Sequence, residues 1–195
     1  MDIEIRKLTP DLAEDYVRFF DEKPHNEKYN TKCYCTGWCS NEPEGVDNST
    51  EEKRRAVAYE YVKAGNLQGY LAYFGGQVVG WCNANTKADC VTCVGWQYVM
   101  GAVPTDELID KKVKSIFCFT IAPGMQRKGI ATRLLERVCQ DAALEGFQYV
   151  EAYPNRVMTA ESENFVGYAE MYEKSGFTVY KELENIYVMR KKLRE

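Results

Sequence analysis

The sequence predicts an α/β fold, a mixed sheet with helices on its faces. Three observations carry that expectation. An apolar run over 115–121 suits a central strand, and it passes through a short turn into an amphipathic helix over 127–145. Two β-rich runs, 68–72 and 77–82, flank Phe74-Gly75-Gly76, whose glycine pair reads as a hairpin turn. Strand and helix signals follow one another in the order β-α-α-β-β-β-α-β-α-β-β.

Each element has a local cause. Ile3 and Ile5 alternate with Glu4 and Arg6, the period of a half-buried strand. Thr9-Pro10 offers an N-cap with proline at the first helical position, and Leu12, Tyr16, Phe19 and Phe20 recur at helical spacing to about Asp21. Residues 22–48 carry Pro24, Gly37, Pro43 and Gly45 among polar side chains. Ordered connections of that length usually serve function. Ser49 and Glu52 form a capping box for a helix that runs through Lys63 and closes at Gly65. Residues 84–112 form a second irregular segment, holding Gly95, Gly101 and Pro104. On the helix after the turn, Ile130, Leu134 and Val138 share a face with Ala131, Leu135, Cys139 and Ala142, and Gly146 ends it. A strand over 148–153 stops at Pro154. A helix over 164–174 ends at Ser175-Gly176, and 177–180 with 186–190 reads as a final antiparallel pair. No repeat or low-complexity tract interrupts the chain, so 1–195 is expected to be one domain.

Composition narrows the chemistry. The 195 residues include 25 basic and 29 acidic side chains, a net charge of −4. No basic excess exists to coat a phosphate backbone, so nucleic acid is not an expected partner. No run is long and apolar enough for a membrane span, and the N-terminus lacks an apolar signal-peptide core, so a cytoplasmic protein with reduced thiols is expected. The one histidine, His25, excludes HExxH zinc chemistry and any site needing two histidine ligands. Of eight cysteines, Cys82, Cys118 and Cys139 lie in apolar segments and read as core. Cys33, Cys35 and Cys39 (C-x-C-x3-C) and Cys90 with Cys93 (C-x2-C) have enough thiols for a zinc site. The first group lacks zinc-pair spacing, and loop thiols packed among Tyr34, Trp38 and Trp96 explain them as well. No metal is expected.

The segment richest in chemistry is Phe119-Thr120-Ile121-Ala122-Pro123-Gly124-Met125-Gln126-Arg127-Lys128-Gly129-Ile130-Ala131-Thr132. A buried strand turns directly into a helix whose first N–H groups have no intrahelical partner and whose dipole is positive there. Gly129 leaves room for close backbone approach, Ala131 adds little bulk, and Arg127 and Lys128 place two charges at the rim. Such a turn suits a pyrophosphate. It is neither a Walker A loop nor a G-x-G-x-x-G fingerprint.

An apolar strand, a Pro-containing turn and Q-x-x-G-x-A at a helix start, followed later by Tyr168-Ala-Glu-Met-Tyr172-Glu-Lys-Ser-Gly176-Phe177, resemble the GNAT-type N-acetyltransferase superfamily. Gly-Trp-Cys-Asn at 80–83 is similar to a family strand. The resemblance spans 115–180 most clearly, extends to 3–21 and 68–83, and is weak over 22–66 and 84–114. It implies a mixed, mostly antiparallel sheet whose central strands, 115–121 and 148–153, splay apart, with irregular acceptor-side segments at about 22–48 and 84–112. It also implies acetyl-CoA as co-substrate. Phe119, Thr120 and Ile121 would bind the pantetheine arm, with an amide near Ile121 holding the oxyanion. Gln126, Arg127, Lys128, Gly129, Ile130, Ala131 and Thr132 would cradle the pyrophosphate. Tyr172 matches a tyrosine that protonates the departing thiolate, and Glu151 a glutamate base. Read from the residues, Tyr172 also belongs to an apolar helical stripe with Phe165, Tyr168 and Met171, and Glu151 would equally serve a structural ion pair. Many members carry an asparagine seven residues before that tyrosine. Here the position is Phe165, with Asn164 one residue early.

The expected reaction is acetyl transfer from acetyl-CoA to a primary amine by direct attack through a tetrahedral intermediate. Tyr29, Tyr34, Trp38, Trp81, Trp96 and Tyr98 would line the acceptor side, suiting a small-molecule or peptide amine. Two readings compete: a non-catalytic acyl-CoA-sensing domain, and a zinc-organised interaction protein built on Cys33, Cys35, Cys90 and Cys93.

Overall fold

The computed structural model describes residues 1–22, 32–40, 45–157 and 164–193; His25 and Tyr29 lie outside the described residues. The first half contains β1 (Glu4–Lys7), a 3-10 turn (Pro10–Leu12), α1 (Ala13–Glu22), α2 (Glu51–Ala64), β2 (Gly69–Phe74) and β3 (Gln77–Thr86). Three short helices follow: α3 (Lys87–Cys90), α4 (Val94–Val99) and α5 (Glu107–Asp110). The second half contains β4 (Val113–Ile121), α6 (Ile130–Leu144), β5 (Tyr149–Ala152), α7 (Ala169–Lys174), β6 (Thr178–Glu182) and β7 (Tyr187–Lys192).

Seven strands form one mixed sheet in the order β1-β2-β3-β4-β5-β7-β6. Every neighbouring pair is antiparallel except β4 and β5. That parallel pair holds register only from Val113↔Tyr149 to Ile116↔Ala152. Beyond it β4 continues beside β3 to Ile121, paired with Gly80. The chain after β5 instead follows β7, with Tyr187 N–H donating to Pro154 O at 2.9 Å. The two central strands therefore part after Ile116 and Ala152, as expected, and leave a wedge with β4 backbone on one wall.

Side-chain alternation sends β3 residues to opposite faces. At Gly80 an added Cβ would lie 3.1 Å from Ile130 of α6, so this face carries α6. Trp81 faces α1, where the Tyr16 ring meets it edge-on at 4.8 Å. Tyr16, Val17, Phe19 and Phe20 are buried on α1, each large side chain worth about 1.5–3 kcal/mol by transfer from water. The Tyr16 hydroxyl donates to Tyr34 O at 2.7 Å. Tyr34 and Trp81 are thus core residues, a correction to their expected place on the acceptor wall. Cys82, Cys118 and Cys139 are buried, as their apolar surroundings implied.

Several boundaries move. The α2 cap is Thr50, accepting from Lys53 N–H at 3.3 Å, so the capping residue lies one position after Ser49. The helix expected from 127 starts at Ile130, because Arg127 and Gly129 take positive φ and complete a turn. The helix expected from 164 starts at Ala169. Gly167, at φ +81°, breaks it, leaving 164–168 as a non-helical strap.

Candidate functional site

A cavity of about 510 Å³ opens where the wedge meets the β4–α6 turn. Phe119, Thr120, Ile121, Gln126, Arg127, Gly129, Ile130, Ala131 and Thr132 all line it. The structure thus brings nine of the ten residues proposed for the cofactor into one place. Lys128 is the exception: its ammonium turns back to Met125 Sδ at 3.9 Å, and it lines neither this cavity nor its neighbour.

The turn is built from backbone. Gly129 is the α6 N-cap in the left-handed region, at φ +77°, with no side-chain cap bond. The first intrahelical bond is Arg133 N–H to Gly129 O at 3.1 Å, which leaves the amides of residues 130–132 without an intrahelical acceptor. An added Cβ at Gly129 would meet nothing within 4 Å, and residues 129–132 all line the cavity, so the turn faces open space. Donors, helix dipole and room coincide, which is what an anion such as a pyrophosphate requires.

A second cavity, about 520 Å³, adjoins the first through shared Arg127, Thr132, Asn164 and Tyr168. Arg156 and Lys174 also line it, so its walls carry three cations with Arg127. The Arg127 guanidinium lies 5.6 Å from the centre of the Tyr168 ring.

The far wall of the first cavity is the strap. Asn164, Phe165, Gly167 and Tyr168 line it. Phe165 O accepts from Phe119 N–H at 2.6 Å, so the strap pairs with the β4 edge in the wedge. Val166 O accepts from the Tyr172 hydroxyl at 2.7 Å. Asn164 Oδ1 is buried and makes no hydrogen bond. Phe165, at the position where an asparagine was expected, lies in this non-helical segment, on no helix turn. The mid-segment Gly167 was the signal that could have shown this.

Tyr172 itself is fully buried against Phe177, ring centres 5.3 Å apart, and does not line the cavity. Burial pushes its phenol well above the ordinary tyrosine value. Its position is nonetheless close. An added Cβ on the cavity-lining Gly167 would sit 3.0 Å from Tyr172 Oη, so the hydroxyl lies directly behind the cavity wall.

Glu151 occupies a different setting from that expected of a base. It is 0% exposed. Oε1 accepts from Lys87 Nζ at 2.9 Å and Tyr153 Oη at 2.8 Å, and Oε2 from Arg190 Nε. Lys87, also 0% exposed, donates to Pro104 O at 2.7 Å and pairs with Asp110 at 3.2 Å. Two carboxylates and two cations thus balance in a buried network, as burying charge requires. Both oxygens of Glu151 accept from cations, the setting of the structural ion pair that was the other reading of this residue. Tyr153 extends the network to Ser115 Oγ at 2.7 Å. It stacks on Phe117, centres 5.7 Å apart, and Phe117 stacks on Trp38 at 4.6 Å, with Trp96 edge-on to Phe117 at 6.1 Å. These aromatics pack together beside the parting β4 and β5 strands, with Phe117, Tyr153 and Trp96 buried. Loop 32–40 reaches them because Gly95 N–H donates to Gly37 O at 2.8 Å, an approach that any Cβ at Gly95 would block at 2.4 Å. Tyr98 instead faces solvent. No sequence signal marked Lys87 and Arg190 as partners of Glu151, or Asp110 as the second partner of Lys87, since they come from three separate elements.

Cys35, Cys39, Cys90 and Cys93 are buried thiols and Cys33 is half-buried. Among the described residues no three His, Cys, Asp or Glu side chains are grouped to hold a metal. Also among them, no helix is long and apolar enough to cross a membrane.

No curated protein matches the chain significantly in sequence. Solved structures match it in fold. An acetyltransferase of the GNAT family from Streptococcus pneumoniae is 17% identical, with a TM-score of 0.58, over 99% of this chain and 100% of that one. The PaiA N-acetyltransferase from Thermoplasma acidophilum, solved in complex with coenzyme A, is 16% identical with a TM-score of 0.57 over 98% and 99%. YncA, a putative acetyltransferase from Salmonella typhimurium solved with acetyl-CoA, is 15% identical with a TM-score of 0.55 over 99% and 95%. The family model of the acetyltransferase (GNAT) family matches residues 32–177, most of the chain and all of the wedge, turn and strap, and on that match the chain belongs to the GNAT acetyltransferase family.

Proposed function

We propose that the protein transfers an acetyl group from acetyl-CoA to a primary amine by direct attack. The observation that carries this is the pairing of a splayed β4 edge with an uncapped α6 N-terminus along one cavity. The turn amides suit the pyrophosphate, and the cations of the second cavity suit the phosphorylated nucleotide end. Strand alternation turns the Ile121 N–H to the same edge as that of Phe119, where it would face a thioester carbonyl.

The neutral amine attacks that carbonyl, a C–N bond forms, and the oxyanion collapses with cleavage of the C–S bond. Tyr172 donates its phenolic proton to the CoA thiolate and recovers one from the ammonium through solvent. The phenol carries its proton at neutral pH, and opening toward the cavity would relieve the burial that raises its pKa. Because Glu151 is committed elsewhere, the amine loses its proton to water. The stack of Trp38, Phe117 and Tyr153 beside the wedge suits an amine with an apolar or aromatic body, whether small molecule or peptide end.

The test is calorimetry with acetyl-CoA, followed by thiol-release assays across an amine library. The Tyr172→Phe variant should lose about 10²-fold or more in kcat. An acyl-CoA sensor would bind acetyl-CoA and release no CoA with any amine. Stoichiometric zinc in the purified protein would favour the interaction-protein reading.

A further inference from the structure

The strap over 164–168 makes two bonds that matter to the same reaction. One of its carbonyls, Phe165 O, occupies the β4 edge at Phe119 N–H, 2.6 Å away. The next, Val166 O, holds the Tyr172 hydroxyl at 2.7 Å. Phe119 lines the cavity, so an amide-bearing chain that enters it and pairs with the β4 edge meets a donor already taken. A strand edge with a free amide is a ready template for such a chain, but here the protein supplies the partner itself. Gly167 lies between the strap carbonyls and α7 with φ +81°; it lines the cavity, and an added Cβ there would sit 3.0 Å from Tyr172 Oη.

From this juxtaposition we infer that the strap is a built-in competitor of the cofactor arm, and that its displacement from β4 and its release of Tyr172 are one movement. This inference rests on the acetyl-CoA reading. Entry of the pantetheine arm exchanges Phe165 O for a cofactor carbonyl on Phe119 N–H. The two carbonyls belong to consecutive residues, so displacing Phe165 from β4 draws Val166 O away from Tyr172 in the same step. The acid then turns toward the cavity only when the donor is seated. Coupling of this kind is reciprocal: whatever loosens the Tyr172 bond must favour cofactor entry.

That reciprocity gives a test in which the catalytic and strap roles act in opposite directions. Tyr172→Phe removes the tether while keeping the buried ring. The variant should bind acetyl-CoA about two- to tenfold more tightly than the wild type by calorimetry, the factor expected for one net hydrogen bond. Adenosine 3′,5′-diphosphate lacks the arm and should bind both proteins equally. In wild-type protein, hydrogen exchange over 164–168 should quicken when acetyl-CoA binds. Unchanged or weaker acetyl-CoA binding by the variant overturns the strap mechanism, as does equal tightening toward the diphosphate or slower exchange over 164–168. If neither protein binds acetyl-CoA at all, the acetyl-CoA reading fails first, and this inference with it.

Discussion

The two sides of the wedge solve opposite electrostatic problems. On the cofactor side, the β4–α6 turn leaves backbone donors of residues 130–132 without helical acceptors and faces them with empty space. On the acceptor side, Lys87, Asp110, Glu151 and Arg190 satisfy one another so completely that none is left over. The first region has donors waiting for a ligand. The second holds full charges that lock three elements, α3, α5 and the β5–β7 pair, behind an aromatic wall. A carboxylate near a reaction centre is thus no sign of a base. What its oxygens already accept decides whether it has one to offer.

The largest expected effect is on the acceptor side. Lys87→Ala leaves two buried carboxylates short of a cation and should lower unfolding stability by about 3–5 kcal/mol, read from the urea midpoint. Any variant still folded should bind acetyl-CoA with wild-type affinity. A large loss of affinity there would break the separation of the two regions. Glu151→Gln sharpens the same point: it should destabilise the protein while leaving the acidic limb of the pH–rate profile in place, and a displaced limb would restore Glu151 as base.

Next is the turn. Gly129→Val puts a branched side chain at φ +77° and into the space before the amides. It should cost about 1–2 kcal/mol in stability, from the left-handed backbone, and weaken acetyl-CoA about tenfold or more by calorimetry. Unaltered affinity would remove the turn from the cofactor site.

The smallest effect at neutral pH becomes visible only in alkali. Burial raises the thiol of Cys139 to about 11 and that of Cys33 to about 12 and lifts that of Cys82 well above the ordinary value, and a hydrogen bond with Cys118 together with burial does the same for Cys35. In the unfolded chain these thiols ionise near about 8.5. Above that pH the unfolded state sheds protons that the folded state keeps, so the equilibrium shifts toward unfolding. The Tm should be flat below about pH 8 and fall progressively above it. A flat Tm to pH 10 would contradict the burial of these thiols.

Much of the site could be read from the residues because it is local. The strand, turn and helix over 115–145 are consecutive, so apolar pattern, glycine and helix start place the cradle without tertiary knowledge. The hairpin at Gly75-Gly76 and the α2 stop at Gly65 are legible for the same reason. Tyr172 was legible as a residue but not as a state: only packing shows its hydroxyl tied to Val166.

What the sequence alone determined is the order of the strands and of helices α1, α2, α6 and α7, the mixed sheet and the strand–turn–helix of β4 and α6, because local periodicity and turn chemistry suffice for each; the short helices α3, α4 and α5 fall in a segment expected to be irregular. Only the tertiary structure decided the ion-pair partners of Glu151, the outward turn of Lys128, the core positions of Tyr34 and Trp81, and the strap on β4. Each of these depends on which distant donors, acceptors and rings meet in space, and that is fixed by sheet register and burial, not by neighbours along the chain.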